Sequence, residues 1–226
     1  MIAGNARKLA GGMGFTEGPC WLPDQQAVLF TDIPANRIMR WSAEAGLSVW
    51  SDHAHFAIGL ARASDGRILA CEHSTRSIAA LSLADGSRQV LARSVGGRVL
   101  NSTNDVICAR DGTGLFTDPP FGVRAEDGTL YGYHQAMDLP YCGMFRVSNT
   151  PDAPVPLTNG VYRPNGLCPS PDERHIYISD NSGRQHKVAV CDVAGNLWVA
   201  GATGFMFTRT VARASLTPGA GNGDEP

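Results

Sequence analysis

Apolar and polar positions along this chain fall into short runs cut by turn residues, and one stretch shows the grammar most clearly. Leu100 to Gly122 reads LNSTNDVICARDGTGLFTDPPFG. A polar pair, Asn104-Asp105, precedes an apolar run from Val106 to Ala109. A turn at Asp111-Gly112 leads to a second apolar run, Leu115 to Thr117, and Asp118 closes the unit against Pro119-Pro120. Two β-type runs joined by Asp-Gly predict a hairpin.

The same order recurs. Glu17 is followed by a turn at Pro23-Asp24, a strand from Ala27 to Thr31 and a closing Asp32, then strands Arg37 to Trp41 and Leu47 to Trp50. Ile58-Gly59 leads to Asp65-Gly66, a strand from Ile68 to Cys71, and Glu72. Further runs follow at Ser77 to Leu83 and Arg88 to Ala92. The unit of Asn104 is expected to take Gly143 to Val147 as its outer strand. Asn165-Gly166 leads to Pro171-Asp172, His175 to Ser179, and Asp180.

The recurrence is phased. With Glu17, Ile58, Asn104 and Asn165 as opening positions, each turn aspartate falls seven residues later and each closing carboxylate fourteen or fifteen later. The openings are spaced by 41, 46 and 61 residues, near the size of a four-stranded propeller blade, with an insertion in the third unit. A β-sandwich would supply short strands but no phase. A damaged fifth unit follows at Asp192 to Ala200, and counting seven back from its turn lands on Lys187, 22 residues after Asn165. The expectation is one propeller domain over residues 1–208, with four to five recognisable units, and a polar tail over 209–226.

Composition narrows the function classes. In 226 residues, 43% hydrophobic, the 19 basic and 21 acidic side chains nearly balance, and no Lys/Arg cluster offers a field for nucleic acid. No run approaches a membrane span, and the first residues lack the apolar segment of a secretory signal. The six cysteines show no CxxC spacing and are expected to be reduced thiols of a cytoplasmic protein. No GxSxG elbow, HExxH pair or phosphate-cradling loop occurs.

The chemistry lies at the opening positions. First strands of propeller blades line one channel, so Glu17, Asn104 and Asn165 are expected to meet there. One carboxylate and two amide carbonyls are hard oxygen ligands, suited to Ca²⁺, Mg²⁺ or Mn²⁺ with positions left for water and substrate. The bland alternative for each asparagine is an Asx turn. The closing carboxylates read as structural acceptors of backbone N–H groups in the turn that follows them. His73 and His134 are candidates for the channel mouth and substrate.

At these residues the chain resembles the senescence marker protein / gluconolactonase / luciferin-regenerating enzyme family. The matching pieces are FTEGPCWLPDQQAVLFTDIPANRIMRW, LNSTNDVICARDGTGLFTDPPFG, RPNGLCPSPDERHIYISD and CDVAGNLWVAG. The resemblance implies an all-β, six-bladed β-propeller, here incomplete at its C-terminal blades. It also implies one divalent ion (Ca, Mg, Mn or Zn) and hydrolysis of a sugar lactone in carbohydrate metabolism. Glu17 and Asn165 match family ligands, and Asn104 matches a residue that contacts metal or substrate. The family's remaining ligand, an aspartate also proposed as the base, is matched by Lys187. Ser102 stands where some members carry an arginine. A metal-dependent lactonase is therefore the first expectation. The rivals are a non-catalytic propeller remnant, which Lys187 favours, and a related propeller esterase. A small-molecule lactone is the expected partner, with self-association through open blade edges.

Overall fold

Short runs separated by Asp-Gly and Pro-Asp turns pair most readily with their neighbours in sequence, and here they do. The computed structural model describes residues 8–124, 131–182, 185–192, 196–201 and 204–209. The first sheet holds β1 (Thr16–Leu22), β2 (Ala27–Asp32), β3 (Arg37–Ser42) and β4 (Gly46–Ser51). The second holds β5 (Ala57–Arg62), β6 (Ile68–Glu72), β7 (Ser77–Leu81) and β8 (Arg88–Ala92). A small hairpin, β9 (Ser94–Val95) and β10 (Arg98–Val99), leads to the third sheet. That sheet holds β11 (Val106–Cys108), β12 (Gly114–Asp118), β13 (Gly143–Val147) and β14 (Val155–Thr158). The fourth holds β15 (Pro164–Pro169), β16 (His175–Ser182), β17 (Gln185–Asp192), β18 (Asn196–Gly201) and β19 (Gly204–Arg209). All pairings in these sheets are antiparallel and sequential.

The turns explain the registers. Asp65 Oδ1 accepts from Arg67 N at 3.0 Å, Asp111 Oδ1 from Thr113 N at 2.8 Å, and Asp172 Oδ1 from Arg174 N at 3.1 Å. Each aspartate thus closes its own turn through its side chain. Gly66 and Gly112 follow at φ +88° and +86°, a region that a side chain disfavours.

The four sheets stack face to face through three cores. Leu22, Leu29 and Ile38 of the first sheet meet Leu60, Ile68 and Ala70 of the second. Leu69, Cys71 and Ile78 on the other face of the second meet Val106, Phe116 and Phe145 of the third. Leu115 and Met144 then meet Leu167, Ile176 and Ile178 of the fourth. Because adjacent residues point to opposite faces, β6, β7 and β12 are buried at every position. In the fourth sheet β16 alternates instead, with Ile176 and Ile178 inward and Tyr177 exposed. Covered on both faces, a strand reads as an unbroken apolar run; covered on one, it alternates.

Three expectations change. The run Gly143–Val147 is the third strand of its sheet, since β14 pairs outside it. The run at Asn196–Gly201 does not open a new sheet: it pairs with β17 as the fourth strand of the fourth sheet. Lys187 lies within β17, opposite Asp180 and Gly201, and so begins no unit of its own. One turn landmark without its own opening strand sets no phase, so seven residues back from Ala194 lies inside β17. Among residues 209–226, where a tail is expected, Arg209 ends β19 and the others lie outside the described residues.

The closing carboxylates serve as backbone acceptors, but mainly toward the segment ahead of their own sheet. Asp32 Oδ1 accepts from Gly14 N at 3.0 Å, Asp118 Oδ2 from Asn101 N at 2.7 Å, and Asp180 Oδ1 from Arg163 N at 3.2 Å. Asp180 Oδ1 also accepts from Ser182 N at 2.9 Å, at the end of its own strand. Glu72, one methylene longer, is held instead by Arg88 and Ser77. Antiparallel pairing brings the end of each second strand beside the start of the first, so the acceptor meets the earlier segment.

Candidate functional site

The opening positions share a backbone device. In β1 the residues Gly18 and Pro19 stand against one partner position between the pairs Glu17–Thr31 and Cys20–Leu29. In β5 the bulge falls at Ile58-Gly59, and in β15 at Asn165-Gly166. In the third sheet both Asn104 and Asp105 bond Thr117: Asn104 N donates to Thr117 O at 2.9 Å and Thr117 N donates to Asp105 O at 3.0 Å. A bulge re-aims side chains and commonly sits at functional sites.

These bulges place the first strands in direct backbone contact. Gly59 N donates to Asn104 O at 2.8 Å. A Cβ on Gly18 would lie 2.2 Å from Ile58 O, and one on Gly59 would lie 2.7 Å from Asn104 O. Hydroxyls of the second strands bridge the same seams. Thr31 Oγ1 donates toward Glu17 O at 3.1 Å and Ile58 O at 3.0 Å, and Thr117 Oγ1 donates to Asn165 O at 2.8 Å. Glu17, Ile58, Asn104 and Asn165, up to 148 residues apart, thus occupy equivalent places on four consecutive strands. One or two residues beyond them, β1, β5, β11 and β15 together line a cavity of about 510 Å³ whose walls include Trp21, Arg62, Asp105 and Ile107.

Glu17 is exposed, Asn165 half-buried and Asn104 buried. Among the described residues none of the three side chains has a hydrogen-bond partner. No three His, Cys, Asp or Glu side chains gather among the described residues. Glu17, Asn104 and Asn165 carry one carboxylate and two amides, a set whose chemistry suits a hard cation and not a thiolate- or imidazole-seeking one.

His73 and His134, the two candidates for substrate contact, differ in setting. His73 is buried, with its Nδ1 2.8 Å from Tyr131 O and Gly122 pressed on its ring. A carbonyl only accepts, so Nδ1 carries the proton, and Nε2 is buried without a partner. Burial pushes its pKa down to about 4. His134 is exposed in the insertion between β12 and β13. That insertion reaches across the sheets: Tyr131 stacks on Phe15 at 5.8 Å, and Tyr133 meets Phe56 edge-on at 6.2 Å. Ser102 is fully buried and binds Pro119 O and Gly122 N, so its hydroxyl braces the loop after β12. Cys20, Cys71, Cys108, Cys142 and Cys168 are free thiols, Cys168 exposed; the Cys191 side chain lies outside the described residues.

Asp105 is the residue that the sequence argument passed over. It lines the cavity, and burial raises its pKa, with the Glu17 carboxylate adding to the rise and backbone donors opposing it. The signal was present: three of the four units have glycine after the opening position, whereas the third has an aspartate.

Residues 15–203 match the family model described as the SMP-30/Gluconolactonase/LRE-like region. A gluconolactonase of Zymomonas mobilis subsp. mobilis is 32% identical over 221 residues, covering 91% of this chain; the chain spans 58% of that protein's length. The structure of a gluconolactonase from Xanthomonas campestris superposes with a TM-score of 0.72 at 28% identity, over 86% of this chain and 72% of the other. A calcium-binding regucalcin from Agrobacterium tumefaciens shares the fold, with a TM-score of 0.57 at 17% identity over 84% and 68% of the two chains.

Proposed function

This chain belongs to the SMP-30/gluconolactonase/LRE-like family, and we propose that it is a metal-dependent lactone hydrolase whose four sheets are blades of a six-bladed ring. The observation that carries the reading is the placement of Glu17, Asn104 and Asn165. They sit at the bulged openings of first strands stacked side by side, beside a cavity and without side-chain partners among the described residues.

The donor set fits a divalent cation of the hard class, held by the Glu17 carboxylate and the Asn104 and Asn165 carbonyl oxygens. Such an ion, when bound, supplies positive charge against the oxyanion that develops on a lactone carbonyl. The chain's own contribution is positional. Each donor stands at or beside the bulge of its own strand, and bonded seams tie neighbouring strands together. Hydrolysis adds water to the carbonyl carbon, breaks the ring C–O bond and returns a proton to the leaving oxygen. The proton needs an acceptor on the way, and Glu17 is the carboxylate among the four opening positions.

A second reading, a non-catalytic propeller scaffold, is favoured by Lys187, which lies within β17 and opens no further strand of ligands. One experiment separates the two. The purified chain is assayed on glucono-δ-lactone by proton release, after chelator treatment and after return of Ca²⁺, Mg²⁺, Mn²⁺ or Zn²⁺. We expect chelation to abolish hydrolysis, one of the ions to restore it, and Glu17→Gln to lower the restored rate by roughly 100-fold or more. Hydrolysis indifferent to chelator overturns the metal-dependent reading, and no hydrolysis under any condition leaves the scaffold.

A further inference from the structure

We propose that Asp105 is a positioning residue that sets the spacing of Asn104 and Asn165 by clamping two first strands together, an inference that rests on the ion site proposed above. Its Oδ2 accepts from Leu167 N at 2.7 Å, across 62 residues of sequence, and its Oδ1 accepts from Val106 N at 2.9 Å. The carboxylate therefore bonds the strand that follows Asn104 and the strand that follows Asn165 at the same time.

Its backbone is tied to the same network. Asp105 N donates to Thr117 Oγ1 at 3.1 Å, and that hydroxyl donates to Asn165 O at 2.8 Å. Two bonded paths thus run from the Asn104-Asp105 bulge to the Asn165-Gly166 bulge, one through the carboxylate and one through Thr117. The space for the carboxylate is made by absences. A Cβ on Gly59 would lie 2.8 Å from Asp105 Oδ1, and a Cβ on Gly166 would lie 3.7 Å from Oδ2. Of the four equivalent positions, Gly18, Gly59, Asp105 and Gly166, this is the one with a side chain, and that side chain lies between its neighbours. A bond between backbone segments that each carry a ligand acts on the ligands' separation, as the partners of metal ligands generally do.

The test measures Ca²⁺ binding by titration calorimetry on the full chain, beside thermal unfolding of the metal-free protein. Three variants are compared with wild type. Asp105→Ala removes both bonds, Asp105→Asn keeps an acceptor for Leu167 N at nearly the same size, and Asp111→Ala alters a turn aspartate at another position as a control. Asp105→Ala is expected to weaken Ca²⁺ binding about 10–100-fold at temperatures where it is fully folded. Asp105→Asn should restore part of that loss, and Asp111→Ala should bind as wild type does. A merely structural role would lower the unfolding temperature and leave the dissociation constant alone, so a folded Asp105→Ala with wild-type affinity overturns the inference. Should Asp105→Ala fail to fold, Asp105→Ser, whose side chain is too short to bond Leu167 N, is measured in its place, and unchanged affinity there overturns the inference equally. A wild-type chain that binds no divalent cation overturns the ion site and this inference with it; a wild type that binds while the variants bind equally overturns the inference alone.

Discussion

His73 and Asp118 are both buried titratable groups, and their effects on stability run in opposite directions with pH. Burial lowers His73 from 6.5 to about 4, so the folded chain holds it neutral where the unfolded chain would protonate it. Its contribution is present above about pH 6.5 and is lost as pH falls toward 4. Burial raises Asp118 from 3.8 to about 7, against the N–H donors of Asn101 and Ser102 and the charge of Arg76. Its contribution is present below about pH 3.8 and is lost as pH rises through 7. Between pH 4 and 6.5 the two slopes oppose, each bounded by about 1.4 kcal/mol per pH unit. Urea unfolding at a series of pH values should therefore show a shallow wild-type profile. Asp118→Asn should show stability rising with pH from 4 to 6.5, and His73→Gln should show it falling. Parallel profiles for all three proteins would refute the assignment. Neither shift was legible in the sequence, where each residue simply follows a short apolar run. Burial is supplied by the Gly122 loop over His73, while the Asn101-Ser102 segment lies against Asp118.

The bulged first strand is the element on which the candidate site depends, and glycine is what allows it. Gly18 has φ +54° and touches Ile58-Gly59; Gly59 touches Asn104-Asp105. A methyl at Gly59 would meet the Asn104-Asp105 backbone, which cannot rotate away as a side chain could. Gly59→Ala is expected to destabilise the chain by about 1–3 kcal/mol as an overpacked seam. Gly86→Ala, at φ +70° with open space around it, should cost less, about 1 kcal/mol from its backbone conformation alone. Denaturant midpoints of the two variants give the comparison, and equal losses would argue against the seam. The phased openings were readable because turn aspartates and closing carboxylates are chemically conspicuous. The glycines beside them carry no side-chain chemistry, and in sequence Asp105 is only the second member of a polar pair, its bond to Leu167 invisible.

Across the whole molecule, stability resides in the faces between sheets more than within any one of them. Phe116 is fully buried between the second and third sheets and stacks on Phe145 at 5.5 Å. Phe116→Ala should cost about 3–5 kcal/mol. Tyr177→Ala, on a face of the fourth sheet where the side chain is 42% exposed, should cost less than about 1 kcal/mol. If unfolding followed by tryptophan fluorescence and by circular dichroism gave separate transitions for Phe116→Ala, the sheets would not be energetically joined as the cores indicate. The sequence by itself determined many of the strands and the phase of the first four units, because alternation, turn chemistry and spacing are local properties of a chain. It also supplied the donor types at Glu17, Asn104 and Asn165. Only the tertiary structure decided which faces are covered, that Lys187 belongs to a third strand, and that Asp105 links two openings. Those facts depend on which segments become neighbours, and a bond between residues 62 apart leaves no local trace.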